Sequence, residues 1–463
     1  MTQEDRCDLL ITGGIVITVD EQRRILDPGA IAIRGEEIAA VGTVDELAGY
    51  KAKRTINCEG KLITPGFVDC HNHLFESMLR GVGEGMKLWP WLSQLMQPFG
   101  DKVTREEAVA AVTNCALEAI RNGTTYVVDN HYAPTDFETT LAVADAIAST
   151  GLRGAVARGM YGHPTAISDQ LGFGVLDRTF LYSVDEEIDI TRAAIEARPP
   201  GSPIEVWPCP ENISYNPQEL IIRAVELARE FGTRWHSHLA EDDTEQGLYR
   251  EQFGDGLVEW LHEENLLEDG TFAHCIWLDD KDIELLGDSH SGIAHCPVSN
   301  QYLATGIMRL PDLRSAGAVV GLGSDGSCCG NQDLILAMHQ AVLLQRVNTL
   351  DPTILIAEEA LEMATIGGAR QVGINAGQLE PGKRADLAII GMDAPQARPF
   401  NNAIGHLVYN GRGSDVEMTI IGGQIVYEDG RCTMIDEAAV IEEVQARSDE
   451  LFERLGINQF RSP

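Results

Sequence analysis

The sequence predicts an α/β protein whose central domain is a (β/α)8 barrel of the TIM type. Short apolar runs of strand length recur through the middle of the chain, at residues 66–70, 124–129, 152–158, 204–209, 233–238, 271–276, 292–296 and 319–324. Stretches with apolar residues at helical spacing separate most of these runs. Strands that alternate with helices are typical of a parallel sheet, and eight of them close a barrel.

One of the stretches between the runs shows both boundaries of a helix. Thr104 and Glu107 have the spacing of a capping box, and apolar residues follow at helical spacing as far as Ile120. Asn122 and Gly123 end the pattern, as residues that stop helices do. The sequence therefore predicts a helix that starts after Thr104 and connects the first barrel strand to the second.

The segments on both sides of the barrel follow a different pattern. Between Cys7 and Leu62 short alternating apolar runs are broken by glycine and Asp-Pro-Gly turns, and similar runs return at 386–390 and 418–421. We expect residues 1–64 and 376–433 to form one composite β-sandwich domain, and residues 65–375 to form the barrel. Alternating acidic and apolar residues predict an amphipathic C-terminal helix within 434–463.

Four side chains at the ends of predicted strands form a candidate metal site. His71 and His73 end the first run, and because alternate residues of a strand share a face, both imidazoles point the same way. His238 ends the fifth run and Asp325 follows the eighth. The carboxyl ends of barrel strands carry the chemistry in this architecture. Three imidazoles and one carboxylate leave a coordination place for water, which is typical of a catalytic site for one divalent ion.

Six motifs in order along the chain resemble the amidohydrolase superfamily. Within it they are most similar to the branch of cytosine, guanine and 8-oxoguanine deaminases and s-triazine hydrolases, and the resemblance covers essentially the whole chain. The motifs are TPGFVDCHNHLFESMLRG from Thr64, HSHLAED from His236, AHC from Ala273, AHCPVSNQYL from Ala294, GLGSDGS from Gly321 and PGKRADLAII from Pro381.

The resemblance implies a role for each residue that matches a family motif. It implies that the metal ligands are His71, His73, His238 and Asp325. It further implies that Glu241 is the proton-shuttling acid and that His274 contacts the reacting water or the substrate. Zinc is favoured over iron, and because the fourth run, 204–209, carries no lysine that could bridge two metals, one metal per chain is expected.

These roles predict a hydrolase that acts on carbon–nitrogen bonds of cyclic amidines. A divalent ion lowers the pKa of bound water from about 15.7 to about 7, and the resulting hydroxide can attack an electron-poor ring carbon. Glu241 would protonate the adjacent ring nitrogen and then the leaving amine, while His274 and Asp325 would take and hold the proton of the water. The expected reaction is deamination of an amino-substituted purine, pterin or triazine-like ring.

Two alternatives to deamination stay open from the sequence. The same residues can serve another leaving group, as in dechlorination, dealkylamination or amide hydrolysis. An alternative of another class is a catalytically inactive, hydantoinase-like scaffold. The complete set of metal ligands together with Glu241 argues against a scaffold, because a scaffold needs none of these residues.

Four further residues are candidates for substrate binding. Glu76 lies three residues after His73, where an ionised carboxylate would choose N–H donors of a substrate. Trp89 either stacks on a planar ring or packs its loop onto a helix. His131 and His295 end the second and seventh runs and are candidates for the same mouth of the barrel.

Two features near the predicted ligands can each be interpreted in two ways. His236 either supports a metal ligand or packs in the barrel lumen. Cys328 and Cys329 follow Asp325, and a role of this pair at the metal is an alternative to simple loop packing.

Composition limits the partners of the chain. The 463 residues include 71 acidic and 35 basic ones, a formal net charge of -36, which opposes binding to nucleic acid and anionic membranes. No apolar run approaches the roughly 20 residues of a spanning helix. The ten cysteines lack Cys-X-X-Cys spacing and are expected to be reduced. We expect a cytoplasmic enzyme for a small heterocyclic substrate, and the resemblance implies a homodimer or larger homo-oligomer.

Overall fold

The structure, a computed structural model, describes residues 6–172, 180–254 and 256–456. It begins with strands β1 (Arg6–Ile17), β2 (Ile25–Arg34), β3 (Glu37–Thr43), β4 (Lys51–Asn57) and β5 (Lys61–Pro65). Strand β1 pairs antiparallel with β2, and its two halves pair parallel with β4 and β5. Register shifts around Gly14 let two apolar runs of the sequence lie in one long strand.

Eight parallel strands then form the barrel, as the sequence predicts. They are β6 (Phe67–His73), β7 (Thr124–His131), β8 (Arg153–Met160), β9 (Ile204–Pro210), β10 (Trp235–Leu239), β11 (Gly270–His274), β12 (Gly292–His295) and β13 (Val319–Leu322). Each strand pairs with its neighbours in chain order, β13 pairs with β6, and a bridge between Asn212 and His238 joins β9 to β10. The short strand β14 (Asp325–Gly326) pairs with β6 beyond the end of β13.

The last strands return to the N-terminal sheet. They are β15 (Leu387–Gly391), β16 (Val416–Ile421), β17 (Gln424–Glu428) and β18 (Arg431–Cys432). Strand β15 pairs antiparallel with β5, so strands from both ends of the chain form one nine-stranded sheet. Buried residues such as Ile11, Ile31, Ile63 and Leu387 form its core. The predicted union of the two terminal segments is confirmed, and the domain boundaries at 64 and 376 stay predictions.

Helices cover the barrel and follow the strands. They are α1 (Leu88–Trp91), α2 (Gln97–Lys102), α3 (Arg105–Arg121), α4 (Phe137–Ser149), α5 (Ala166–Gln170), α6 (Val184–Ala197), α7 (Gln218–Phe231), α8 (Asp243–Phe253), α9 (Leu257–Glu263), α10 (Asp280–Asp288), α11 (Pro297–Tyr302), α12 (Leu310–Ser315), α13 (Leu334–Thr349), α14 (Ala357–Glu362), α15 (Gly368–Val372), α16 (Ala403–Asn410) and α17 (Glu437–Leu455). Short 3-10 or π turns lie at Leu74–Leu79, Leu92–Met96, Met363–Gly367, Pro395–Ala397 and Gly413–Asp415.

Helix α3 has the boundaries that its sequence predicts. Thr104 and Glu107 form the capping box with both reciprocal hydrogen bonds. Gly123 follows the helix with φ +85°, and a Cβ there would lie 3.0 Å from Ala388 of the terminal sheet. Glycine is therefore required both by the backbone and by the close packing between barrel and sheet.

The C-terminal helix is shorter than the predicted segment. Asp436 caps α17, and Gly456 ends it in a left-handed conformation with φ +68°. Residues 457–463 of the predicted segment lie outside the described residues. Within the described ranges, no helix is long and apolar enough to cross a membrane. All ten cysteines are buried and free, as the sequence predicts.

Candidate metal centre and active site

The structure brings the predicted ligands together at the carboxyl end of the barrel. His71 and His73 lie on β6, His238 lies on β10, and Asp325 lies on β14. His274, at the end of β11, joins the same cluster. These five residues are at most 8% exposed. Candidate ligand atoms of His71, His73 and Asp325 lie within 4.8 Å of one another, as do those of His71, His238 and His274.

The donor atoms surround one carboxylate. Nε2 of His71 lies 3.1 Å and Nε2 of His73 lies 3.4 Å from Oδ1 of Asp325, while Nε2 of His274 lies 3.8 Å from Oδ2. Among the described residues, the buried Nε2 of His71 has no hydrogen-bond partner. Because a buried lone pair without a hydrogen-bond donor is unfavourable, this nitrogen is well suited to bind a metal ion. Nitrogen and carboxylate donors in this number suit zinc or iron.

A chain of hydrogen bonds determines which nitrogen of His71 is free. The hydroxyl of Thr271 donates to the carbonyl of Trp235 at 3.0 Å, so its oxygen accepts from Nδ1 of His236 at 2.7 Å. Nε2 of His236 then carries no proton and accepts from Nδ1 of His71 at 2.8 Å. The lone pair of His71 is therefore on Nε2, which faces Asp325.

The other two imidazoles are oriented by backbone carbonyls. Nδ1 of His73 donates to the carbonyl of Asn130 at 2.8 Å, and Nδ1 of His238 donates to the carbonyl of Glu211 at 2.7 Å. Because a carbonyl only accepts, the single proton of each neutral ring is on Nδ1, and Nε2 is the nitrogen left for a metal. All three histidines thus have the tautomer that a metal ligand needs.

We expect replacement of His236 with phenylalanine to weaken zinc binding by about 10- to 100-fold, because loss of an outer-shell partner typically has this effect. Zinc affinity would be measured by competition with a chromophoric chelator. Thr271→Ser, which keeps the hydroxyl, is the matched control and should bind zinc as the parent does. An unchanged affinity in His236→Phe would mean that His236 only fills the barrel lumen.

Burial keeps two imidazoles of the cluster uncharged. It lowers the pKa of His71 to about 4 and the pKa of His238 well below its usual range. An imidazole must be neutral to bind a metal through its free nitrogen. Both side chains are therefore ready to bind at neutral pH.

The pKa of His73 indicates an excess of negative charge in the site. Burial lowers its pKa, but Glu76, Asp325 and Glu211 together raise the pKa to about 9. Several carboxylates therefore share the space around one imidazole, and a positive charge there is favourable. A divalent cation would supply that charge.

Glu241, the predicted proton-shuttling acid, lies beside His274. Its Oε2 lies 3.5 Å from Nε2 of His274, whose Nδ1 donates to Oδ1 of Asn300 at 2.9 Å. Burial and the neighbouring Asp325 raise the pKa of Glu241 well above its usual range. A carboxyl group that carries a proton at neutral pH can donate it to a ring nitrogen.

Three residues of the site have left-handed backbone conformations. Ala240, His274 and Asp325 have φ values of 51°, 73° and 64°. Such φ values are uncommon for residues with a side chain and cost of order 1–3 kcal/mol each. Ser299 of α11 also donates a hydrogen bond to Oδ2 of Asp325. The fold thus accepts local strain where side chains must turn towards the cluster.

Two of the predicted substrate residues line the cavity beside this cluster. Glu76 is buried and accepts hydrogen bonds from the hydroxyl of Tyr132 at 2.6 Å and from Sγ of Cys328 at 3.1 Å. Trp89 lines the same cavity, and its Nε1 donates to Asp242 at 3.0 Å. Cys328 is therefore a hydrogen-bond donor to Glu76, and a role of the cysteine pair at the metal stays untested.

His131 and His295 do not line the cavity within the part of the chain that the structure describes. Nε2 of His131 bonds to the carbonyl of Pro134 at 3.1 Å, and its ring packs on Phe75 with centroids 5.0 Å apart. His295 is fully buried on β12. The structure thus places neither histidine at the cavity, and their contact with a substrate stays a prediction. Tyr132, the residue after His131, lines the cavity.

Several site residues were not assigned roles from the sequence. Glu211 and Tyr132 line the cavity, and Ser299 and Asn300 bond to Asp325 and His274. Ser299 and Asn300 lie inside the motif that starts at Ala294, and this motif was the sequence feature that could have identified them. Glu211 lies two residues after the fourth run, and its position beyond a barrel strand was the sequence feature that could have identified it.

Known proteins are similar to this chain over most of its length. The model of the Amidohydrolase family matches residues 62–426. A protein of Pelotomaculum thermopropionicum named 5-methylthioadenosine/S-adenosylhomocysteine deaminase is 34% identical over 456 residues, which are 96% of this chain and 99% of the relative. A 5'-deoxyadenosine deaminase of Methanosarcina mazei is 30% identical and covers 97% of this chain, with 99% of the relative covered.

Solved structures share the fold at lower identity. An adenosine deaminase from Xanthomonas campestris with bound zinc has a TM-score of 0.87 at 24% identity, and the similarity covers 97% of this chain and 99% of that one. The zinc complex of the atrazine chlorohydrolase TrzN from Arthrobacter aurescens has a TM-score of 0.88 at 24% identity, covering 95% of this chain and 100% of that one.

Proposed function

Since the chain belongs to the amidohydrolase family, we propose that it deaminates 6-aminopurine nucleosides. The predicted reaction class, metal-dependent hydrolysis of a carbon–nitrogen bond in a cyclic amidine, is confirmed by the relatives. The more specific proposal is that the substrate is a nucleoside. It is supported by relatives that are at least 30% identical and are named for adenosine derivatives.

The main observation behind the proposal is the position of Glu241. Its Oε2 lies 3.5 Å from Nε2 of His274, and Asp325 is its neighbour in the site. A 6-aminopurine has a ring nitrogen adjacent to the carbon that bears the amine. Glu241 donates its proton to that nitrogen, which makes the carbon electron-poor. Nε2 of His274 hydrogen-bonds the attacking water, and Asp325 accepts the first proton of this water. As the carbonyl forms, Glu241 takes the second proton from the new O–H group and passes it to the amine, which leaves as ammonia. The proton on Asp325 then returns to Glu241 and restores the site.

The proposed ligands hold one divalent ion through Nε2 of His71, His73 and His238 and through Asp325. When bound, such an ion supplies Lewis-acid activation of water at neutral pH. We favour zinc, because the donor set suits it and a protein of the same fold is described with zinc. A homodimer or larger assembly and a cytoplasmic location also stay predictions, and analytical ultracentrifugation would test the first.

The cavity walls suit a flat ring. Trp89, Trp91, Tyr132, Tyr161 and Tyr215 line it. Aromatic side chains stack on or pack edge-to-face against a planar heterocycle. Glu76, held by Tyr132 at 2.6 Å, offers an acceptor for an N–H or O–H group of the bound nucleoside.

Release of ammonia from a substrate panel tests the proposal. The zinc-loaded protein would be given adenosine, 5'-deoxyadenosine, methylthioadenosine, a pterin, an aminotriazine and an aminopyrimidine, with His238→Ala as control. We expect the adenosine derivatives to be converted to 6-oxopurines, with a matching ultraviolet change, and the control to be inactive. Silence on the whole panel, with one metal bound per chain, would contradict deamination and favour another leaving group.

A further inference from the structure

Glu211 is a buried acid that the proposed mechanism does not use. It follows β9 at the rim of the active-site cavity and is 6% exposed. Its backbone carbonyl orients His238, and its Oε1 lies 3.5 Å from Nδ1 of that ring. The side chain of Glu211 lies close enough to that of Asn130 to interact with it, but its buried Oε2 makes no hydrogen bond of standard geometry with any described residue.

An unpartnered carboxylate oxygen needs an explanation in the folded protein. A buried acceptor without a donor costs more than an ordinary hydrogen bond contributes, so such groups are kept where a ligand completes them. Orientation of His238 does not require the side chain, because the backbone carbonyl of Glu211 already makes that bond at 2.7 Å. The free oxygen therefore points to a donor on the substrate.

The charge of the cavity indicates which substrates fit. Four carboxyl groups line it, those of Glu76, Glu211, Glu241 and Asp325, and no lysine or arginine lines it within residues 6–172, 180–254 and 256–456. One divalent ion offsets two negative charges. Glu241 carries a proton in the proposed mechanism, so Glu76, Glu211 and Asp325 remain against the two positive charges of the ion. This excess of negative charge makes an anionic group unfavourable inside the cavity and leaves hydrogen-bond acceptors for neutral or cationic groups.

We propose that Glu211 is a specificity-determining residue that pairs with an O–H or N–H donor of the nucleoside and excludes nucleosides with an anionic group. This inference rests on the proposed function. It assigns to the site a substrate class, the uncharged or cationic 6-aminopurine nucleosides.

A matched series of nucleosides that differ only at the 5' position tests the inference. The series is 5'-deoxyadenosine, its 5'-amino derivative and adenosine 5'-carboxylic acid, which are neutral, cationic and anionic at neutral pH. We expect kcat/KM for the anion to be about 100-fold below that for the neutral compound, as repulsion between nearby buried charges requires. The cation should be used at least as well as the neutral compound.

The outcomes separate this inference from the proposed function. Deamination of all three compounds with kcat/KM within tenfold would overturn the inference and leave the proposed function intact. Deamination of none of them would overturn the proposed function and, with it, the inference.

Glu211→Gln identifies the residue responsible. We expect the preference for the cation over the anion to shrink by about tenfold or more, mainly through KM, with the zinc content unchanged. The control is Glu226→Gln on the exposed face of α7, which removes the same charge away from the cavity. An unchanged preference in a folded, zinc-loaded Glu211→Gln protein would overturn the role of Glu211. Loss of zinc in that variant would show a supporting role at His238 and would equally overturn it.

Discussion

Replacement of Glu241 with glutamine is expected to lower kcat by about 10²- to 10⁴-fold, the range that a positioned general acid contributes. The amide keeps the size of the carboxyl group but has no acidic proton to donate, whereas burial and Asp325 raise the pKa of Glu241 and so favour its protonated form. The metal content should stay unchanged, since Glu241 is not among the proposed ligands. Steady-state kinetics and metal analysis of the same protein sample measure both quantities.

The neighbouring Asp243 provides the control for this variant. Its side chain is exposed at the start of α8, so Asp243→Asn removes a nearby charge without entering the cavity. This variant should keep the activity of the parent. A Glu241→Gln protein that retained full activity would show that the proton comes from another group and would refute the mechanism.

Replacement of Asp325 with alanine is expected to remove both metal and activity. The carboxylate lies 3.1 Å and 3.4 Å from the free nitrogens of His71 and His73, and it is the proposed anionic ligand. Loss of one ligand of four should weaken zinc binding by about 10²- to 10³-fold, an estimate from the zinc affinities of structural sites. Metal analysis after dialysis against a weak chelator, with activity measured on the same sample, checks this.

The two variants together distinguish a ligand from an acid. Glu241→Gln should retain zinc and lose activity, while Asp325→Ala should lose both. Excess zinc should restore no activity to the first variant. If Asp325→Ala kept one tightly bound zinc per chain, the assignment of Asp325 as a ligand would be wrong.

The fold was predictable because its signals are local. The apolar runs that became β6 to β13 have strand length, and the capping box at Thr104 has a three-residue spacing, so both are visible without any tertiary contact. The placement of His71, His73, His238 and Asp325 at one end followed from the rule that parallel barrel strands share a direction. Their meeting in space is what the structure adds.

The choice among residues near the barrel mouth was not predictable. His131 ends β7 and was a reasonable candidate, yet its ring packs on Phe75 and the next residue, Tyr132, lines the cavity. The difference depends on how the chain turns at the strand end, which strand periodicity does not describe. Residues beyond a strand no longer alternate between two faces.

The sequence by itself determined the barrel, the union of the terminal strands, the four metal-ligand candidates and the acid at Glu241. These depend on spacing along the chain or on motifs that a family shares. Only the tertiary structure decided the tautomer of His71, the left-handed turn at His274 and the free oxygen of Glu211. The physical reason is that hydrogen-bond partners and electrostatic neighbours in this site come from different barrel strands. Contacts between residues far apart in the chain determine them, and no local pattern records which partner each side chain meets.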